Sequence, residues 1–195
     1  FMGNRVVIVT GGARGVTAES LLPLVRESKP RLVLLGRTPL LGTEPDWLAN
    51  IKDEPGIKAA IIANSGKAMT PREAGEACRR IFAQREIRNN LKRLTEAGAT
   101  VEYLVIDVQN AAALTPALAD VRRRLGPIAA IVHGAGVIAD RRIEDLSEEQ
   151  FLSVYDTKVA GLRNLLAATE DDPLKAIVLF SSSTGRFGRT GQVAY

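Results

Sequence analysis

A short β-branched run that ends in a glycine-rich turn constrains this chain more than any other feature. Residues 5–10 read Arg-Val-Val-Ile-Val-Thr, and residues 10–15 read Thr-Gly-Gly-Ala-Arg-Gly. A continuous apolar run of this length is typical of a strand buried on both faces of a parallel sheet. The glycines permit a tight turn, and a helical pattern over 16–28 follows it. A turn in this setting indicates a dinucleotide site, because amide groups at the helix N-terminus meet the charge of a pyrophosphate.

The same alternation of patterns continues along the chain. By the same reasoning we predict four further buried strands, at 31–36, 101–106, 128–133 and 175–181. Helical patterns lie between them near 71–97, 112–125 and 147–168. Strands that alternate with helices predict an α/β fold, a Rossmann-like doubly wound parallel sheet flanked by helices. Ligands bind beyond the carboxyl ends of the strands in such a fold, so functional residues are expected there.

One stretch is too long for a simple crossover connection. Residues 38–90 contain Pro39, Pro45 and Pro55 before helical patterning resumes. We interpret this stretch as an insertion at one edge of the sheet, within a single domain that spans 1–195. A chain of 195 residues has the length of one domain with a substantial core.

Composition narrows the class of protein. Hydrophobic residues make up 46% of the chain and charged residues 25%, as in ordinary globular proteins. The single cysteine, Cys78, cannot form an internal disulfide and is interpreted as an inert thiol on a helix, which fits a reducing cytoplasm. No apolar run approaches the roughly 20 residues of a membrane span. We therefore predict a cytoplasmic protein without a membrane partner.

The net charge of +4 is mild and dispersed. Small arginine clusters occur at 79–80, 122–124 and 141–142. Solvated helix faces account for them, and the functional alternative is attraction to a phosphorylated cofactor or to an acidic carrier protein. Nucleic acid is not a predicted partner, since no aromatic residues interleave with the basic ones.

The residue after the second strand bears on the choice of dinucleotide. The cofactor-contacting residues predicted in the first turn are Thr10, Gly11, Gly12, Arg14, Gly15 and Val16. Folds specific for NAD place a carboxylate at the end of the second strand to bind the ribose hydroxyls, whereas Arg37 stands there in this chain. Arg37 can pair with a 2′-phosphate, and Arg14 is a second suitable cation. NADPH is therefore the predicted cofactor.

The spacing Thr-Gly-x-x-x-Gly resembles the fingerprint of short-chain dehydrogenases/reductases, although Thr17 replaces the customary last glycine. Two further motifs extend the resemblance: Asp107 and Val108 stand where the family contacts adenine, and Gly134, Ala135 and Gly136 form its cofactor-side glycine motif. His133, which precedes that motif, is interpreted as a hydrogen-bonding spacer in preference to a general base.

Reduction of a carbonyl requires a positioned proton donor. A tyrosine ordinarily loses its proton near pH 10 and serves best beside a cation, and a neighbouring hydroxyl can stabilise the developing charge. The candidates for these roles are Lys158, Ser182 and Tyr195. Lys158 precedes Ser182 by 24 residues, and Tyr195 follows Ser182 by 13.

Lys158 stands where ordinary short-chain dehydrogenases carry an asparagine, and their lysine instead follows the tyrosine by four residues. This exchange resembles the ketoreductase (KR) domains of type I polyketide and polyunsaturated fatty acid synthases. The resemblance implies that Tyr195 donates the proton, that Ser182 binds the carbonyl oxygen, and that Lys158 assists Tyr195 and contacts the cofactor ribose. No metal is implied.

That resemblance also implies a reaction and partners. The expected substrate is a β-ketoacyl thioester on the phosphopantetheine arm of an acyl carrier protein, with other synthase domains as neighbours. The insertion resembles that of iterative polyunsaturated fatty acid or glycolipid synthases. The stereochemical markers, at 138–140 and Phe187, signal neither facial class.

Because the chain ends at Tyr195, we expect a fold truncated after the catalytic tyrosine. Two alternatives stay open: a non-catalytic nucleotide-binding or structural fragment, and a free-standing short-chain reductase of small ketones.

Overall fold

A computed structural model describes residues 3–40 and 42–195, and the chain in it forms two compact units. The first unit comprises the residues up to Arg37 together with Asn90–Tyr195, and the second comprises Thr38–Asn89. We propose that the second unit is an insertion into the single domain that the first unit forms.

The first unit is built on a parallel sheet. Its strands are β1 (Val6–Thr10), β2 (Arg31–Gly36), β3 (Thr100–Val105), β4 (Ile128–His133) and β5 (Ala176–Leu179). They pair in the order β3-β2-β1-β4-β5, and every pairing is parallel. The predicted Rossmann-like sheet is therefore confirmed. The strand order reverses beside β1. Proteins of this fold bind ligands at the carboxyl ends of the strands beside such a switch point, which are β1 and β4 here.

Helices alternate with the strands as the sequence pattern predicts. Their bounds are α1 (Gly15–Ser28), α2 (Glu54–Asn64), α3 (Pro71–Glu96), α4 (Ala111–Leu125), α5 (Glu148–Ala168) and the short α6 (Thr184–Phe187). Capping side chains determine where α4 and α5 begin. Asn110 caps α4 by accepting from Ala113 N at 3.1 Å, and Ser147 and Gln150 form a reciprocal capping box at the start of α5. No helix of the described residues is both long and apolar enough to cross a membrane.

The core lies between the sheet and the helices. Side chains of β1, β2 and β4 pack with residues of α4 and α5, among them Leu114, Leu118 and Leu165. Burial of the three central strands was predicted correctly. The prediction of burial was wrong for β3 and β5. No residue of β3 is buried, and Ile177, Val178 and Leu179 of β5 are 47–50% exposed. These two strands are the edges of the described sheet, and an edge strand has a neighbouring strand on one side only.

An ion pair joins the helices to the amino end of β4. Asp172 is buried, accepts from Arg122 Nε at 2.8 Å and accepts from Ile128 N at 2.9 Å. Arg124 pairs with Glu102 at 2.7 Å and with Asp120 at 2.6 Å. Two arginines of the 122–124 cluster thus serve the fold, which weakens the interpretation of that cluster as a partner site.

The second unit has a small core of its own. Leu48, Ile57, Ile61 and Cys78 pack together there. Cys78 is 1% exposed and burial raises the pKa of its thiol, as the interpretation of an inert thiol requires.

Arg85, on α3, binds the segment between Glu44 and Ile51 of the second unit. Its guanidinium makes two hydrogen bonds to the Glu44 carboxylate, at 2.6 and 2.8 Å, and others to the carbonyl oxygens of Leu48 and Ile51. A bidentate pair of this kind is among the stronger polar contacts in proteins. It fixes the segment before α2, whose carbonyl oxygens at Leu48 and Ile51 accept from the same guanidinium.

Candidate active site

The turn after β1 lies against the turn after β4. Gly11 has a positive φ of 68°, and a Cβ there would lie 2.8 Å from the carbonyl oxygen of Gly134. Only glycine combines that conformation with so close an approach. The Thr10 hydroxyl accepts from Ala135 N at 3.1 Å, and the Thr10 carbonyl accepts from Gly134 N at 3.0 Å. The two glycine motifs predicted to bind the cofactor therefore form one continuous backbone surface at the switch point.

Thr17, which replaces the last glycine of the fingerprint, fits because of a second glycine. Its side chain is 5% exposed and lies over Gly134. A Cβ on Gly134 would clash with Thr17 Oγ1 and would lie 2.7 Å from Thr17 Cγ2. The space that a glycine at position 17 would leave is filled by threonine, and Gly134 makes the room for it. The departure from the fingerprint thus leaves the packing of α1 intact.

Arg37 and Asp107 lie at the carboxyl ends of β2 and β3. Arg37 Nη1 is 3.8 Å from Asp107 Oδ2, and their side chains are 55% and 39% exposed. An ion pair so exposed is weak, which leaves the guanidinium able to turn to a phosphate. Val108 differs from them because its side chain is buried in the core, so only its backbone can face a cofactor. Arg14 and Val16 flank the start of α1 and are exposed.

Lys158 projects from α5 toward the carboxyl ends of β4 and β5. Its Nζ donates to the carbonyl oxygens of Ala135, at 3.3 Å, and Phe180, at 3.2 Å. Among the described residues it has no carboxylate partner, and burial lowers the pKa of its ammonium. The Nζ lies 6.0 Å from the centroid of the Tyr195 ring. The structure thus brings the predicted cation and the predicted proton donor together.

Ser182 and Tyr195 lie in one loop system after β5. The Ser182 hydroxyl accepts from Thr184 N at 3.2 Å. One residue further, a Cβ on Gly185 would lie 3.0 Å from the Tyr195 carbonyl oxygen, so the two segments are in contact. The Tyr195 hydroxyl donates to Val137 O at 3.1 Å. All three predicted catalytic side chains therefore lie at the carboxyl edge of the sheet.

A polar clamp holds the tyrosine loop, and sequence reasoning missed it. Gln192 Nε2 donates to Asp140 Oδ2 at 2.8 Å, and Gln192 Oε1 accepts from Thr184 Oγ1 at 3.0 Å. The backbone adds a bond from Arg141 N to Gly191 O at 2.9 Å. In the sequence, Asp140 stands out only as part of the stereochemical marker at 138–140. Its pairing with a side chain 52 residues away leaves no signal in a local pattern.

The chain matches the family model described as "KR domain" over residues 5–195. It belongs to the KR domain family. The predicted resemblance is thereby confirmed, and membership places this KR domain among the oxidoreductases.

A polyunsaturated fatty acid synthase polypeptide of Thraustochytrium sp. is 36% identical over 202 residues, a match that covers 98% of this chain and 7% of that protein. Polyketide synthase GfsB of Streptomyces halstedii is 40% identical over 102 residues, covering 52% of this chain and 2% of that protein.

Solved structures agree with the sequence comparison. A ketoreductase domain from the bacillaene assembly line is 25% identical, with a TM-score of 0.68 over 98% of this chain and 36% of that one. An N-terminal ketoreductase from the macrolactin assembly line is 24% identical and shares the fold, with a TM-score of 0.74 over 100% of this chain and 31% of that one. The KR domain thus spans only a small part of its synthase relatives, 7% of the length of the Thraustochytrium protein.

Lys158 links the stability of the KR domain to pH. Burial lowers the pKa of its ammonium below the ordinary 10.5, so the unfolded chain holds that proton more tightly than the folded chain. Stability must then rise with pH across the window between the lowered value and 10.5. We expect the unfolding free energy of the wild type, minus that of Lys158→Met, to increase across this window in urea titrations. The exposed Lys175→Met is the matched control, and a difference that does not change with pH would contradict the assignment.

Proposed function

We propose that the KR domain reduces a β-ketoacyl thioester, carried on acyl carrier protein, to the 3-hydroxyacyl thioester, with NADPH as the reductant. The observation that carries the proposal is the position of Lys158 Nζ, 6.0 Å from the Tyr195 ring at the carboxyl edge of the sheet. That edge also holds the glycine turn at the switch point, where this fold binds dinucleotides.

The backbone around the switch point fits a dinucleotide. A side chain at Gly11 would meet Gly134, so the two turns come together as bare backbone. The N-terminus of α1 opens from the same turn, and helix N-termini bind phosphate through their first amide groups. Thr10, Gly11, Gly12, Gly15 and Val16 would hold the pyrophosphate.

The start of α1 and the ends of β2, β3 and β4 supply the rest of the proposed cofactor site. Arg37 and Arg14 would hold the 2′-phosphate of NADPH, and Asp107 and the Val108 backbone would border the adenine. Gly134–Gly136 would line the nicotinamide side. When bound, reduced nicotinamide supplies a hydride to the carbonyl carbon.

The side chains of the KR domain handle the proton and the charge on oxygen. The Tyr195 hydroxyl exchanges its bond to Val137 O for the substrate oxygen and donates its proton there as the C–O double bond becomes single. Ser182 donates a hydrogen bond to the same oxygen and orients it. The negative charge left on the phenol oxygen is stabilised by the Lys158 ammonium, whose half-buried setting strengthens the attraction.

The proposed partners follow from the relatives and from the rim of the site. The matched relatives are polyketide and polyunsaturated fatty acid synthases, so neighbouring synthase domains and a cytoplasmic location are part of the proposal. Arg141 and Arg142 are exposed beside the tyrosine loop. Their charge suits the phosphate of a phosphopantetheine arm or an acidic carrier surface.

Kinetic assays of the wild type and of an Arg37 variant test the proposed reaction and the proposed cofactor together. We expect NADPH to be oxidised in the presence of a β-ketoacyl thioester, and we expect Arg37→Ala to raise the KM for NADPH about tenfold while the KM for NADH is unchanged. The reason is that a charge-assisted bond to a 2′-phosphate contributes about 1.5 kcal/mol, close to a factor of ten. Arg80→Ala, which removes an exposed arginine of the second unit, is the control.

Other results of the same assay separate the alternatives. Equal use of NADH and NADPH by the wild type would refute the cofactor proposal. Tight NADPH binding without turnover would favour a non-catalytic nucleotide-binding fragment. Equal rates with free and carrier-bound thioesters would favour a free-standing reductase of small ketones.

A further inference from the structure

His133 connects the cofactor turn to the backbone of Lys158. The ring is 4% exposed at the end of β4. Its Nδ1 lies 2.8 Å from Thr10 Oγ1, and its Nε2 lies 3.0 Å from the Lys158 carbonyl oxygen. Both ring nitrogens are therefore engaged inside the protein, one with the residue before the glycine turn and one with α5.

The partners of the ring determine where its hydrogen lies. A carbonyl oxygen only accepts, so Nε2 must carry the hydrogen and donate it to Lys158 O. Thr10 Oγ1 accepts from Ala135 N, which leaves the hydroxyl hydrogen for Nδ1. The ring is thus a neutral Nε2–H tautomer in an ordered chain of bonds. Burial lowers the pKa of His133, in agreement with a neutral ring.

A glycine on α5 makes room for this contact. A Cβ on Gly161 would lie 3.4 Å from His133 Cε1 and 2.7 Å from Val108 Cγ1. A larger residue at 161 would clash with Val108, whereas it would meet the His133 ring only at van der Waals distance. The absence of a side chain at 161 thus lets α5 lie close to Val108, beside the ring to which its backbone is hydrogen-bonded.

We propose that His133 is a positioning residue, which holds the Lys158 backbone at a fixed distance from the phosphate-binding turn. This inference rests on the proposed function of Lys158 and Tyr195. Lys158 Nζ reaches the carbonyl oxygens of Ala135 and Phe180 at 3.2–3.3 Å, so a small shift of its backbone moves the ammonium away from them. A ring so buried, with both nitrogens bonded, does not touch the substrate.

Two polar replacements separate the two bonds of the ring. Glutamine places its amide nitrogen near the position of Nε2, so His133→Gln retains a donor for Lys158 O. Asparagine reaches only the position of Nδ1, so His133→Asn retains the Thr10 side alone. We expect kcat to fall about tenfold in His133→Asn and to stay within about twofold of the wild type in His133→Gln, a factor of ten corresponding to the loss of one such bond. The KM for NADPH and the melting temperature should be alike in the two variants.

Two NMR measurements on the same chain do not depend on turnover. His133 is the single histidine of the chain, so ¹⁵N-histidine labelling reports its tautomer directly, and we expect the neutral Nε2–H form at pH 7. In ¹³C-lysine spectra we expect the pKa of the Lys158 ammonium, which burial lowers, to return toward its ordinary value in His133→Asn and to stay low in His133→Gln.

Equal behaviour of the two variants, or an Nδ1–H tautomer, would overturn the positioning role. Absence of turnover in the wild type would instead count against the proposed function, and the lysine titration would still decide the role of His133.

Discussion

Replacing Tyr195 with phenylalanine should lower kcat about a thousandfold, within the range of 10² to 10⁴ typical for the loss of a general acid. The substitution removes only the hydroxyl and its bond to Val137 O, and it keeps the ring beside Lys158. Loss of that single hydrogen bond should cost about 1 kcal/mol of stability. NADPH affinity should not change, because the phenol acts on the substrate oxygen. Steady-state kinetics, chemical denaturation and calorimetric titration with NADPH measure these three quantities.

Tyr155→Phe is the matched control for this substitution. Tyr155 lies on α5, is 39% exposed and stacks on Phe151 with ring centroids 5.7 Å apart. Losing its hydroxyl should leave kcat unchanged. A rate in Tyr195→Phe equal to that of the wild type would show that Tyr195 is not the proton donor and would remove the central residue of the proposed mechanism.

The fold could be predicted because its signals are local. The apolar run of β1, the glycine turn and the helical spacing of α1 lie within the first 28 residues, and each pattern is recognised from residues that are adjacent in sequence. The strand bounds differ from the prediction by one or two residues at most. Exposure of β5 could not be predicted in this way, because a local pattern does not reveal which strands have a neighbour on both sides.

The candidate site could be predicted in part, and by a different route. Spacing and family resemblance indicated Lys158, Ser182 and Tyr195, and the structure places them at one edge of the sheet. The supporting contacts were not predictable, since they join distant segments. His133 meets Lys158 across 25 residues, and Gln192 meets Asp140 across 52. Such pairs depend on which strands are neighbours in the sheet, so they are seen only in the three-dimensional structure.

The pairing of Thr17 with Gly134 shows how one departure from a motif is compensated by another residue. Thr17 replaces the customary last glycine of the fingerprint, yet its side chain is buried against a glycine that follows β4. We therefore expect the two positions to be coupled, so that a side chain at 134 is tolerated only when the one at 17 is smaller. Coupling of this kind is measured by a double-mutant cycle.

Gly134→Ala should therefore lower the unfolding free energy by about 2–3 kcal/mol, as overpacking of a filled site does. The added methyl group would clash with Thr17 Oγ1, and because Gly134 N bonds to Thr10 O, the strain would reach the cofactor turn and weaken NADPH binding. Thr17→Ala in the same chain removes both clashing atoms and should restore most of the stability and the binding.

Gly75→Ala is the matched control, since its methyl group would have Arg79 Nη1 as its nearest neighbour at 3.6 Å and should stabilise α3 by about 0.5–1 kcal/mol. Chemical denaturation of the wild type, the two single variants and the double variant decides the matter: a double variant no more stable than Gly134→Ala alone would show that Thr17 is not what the new methyl group meets.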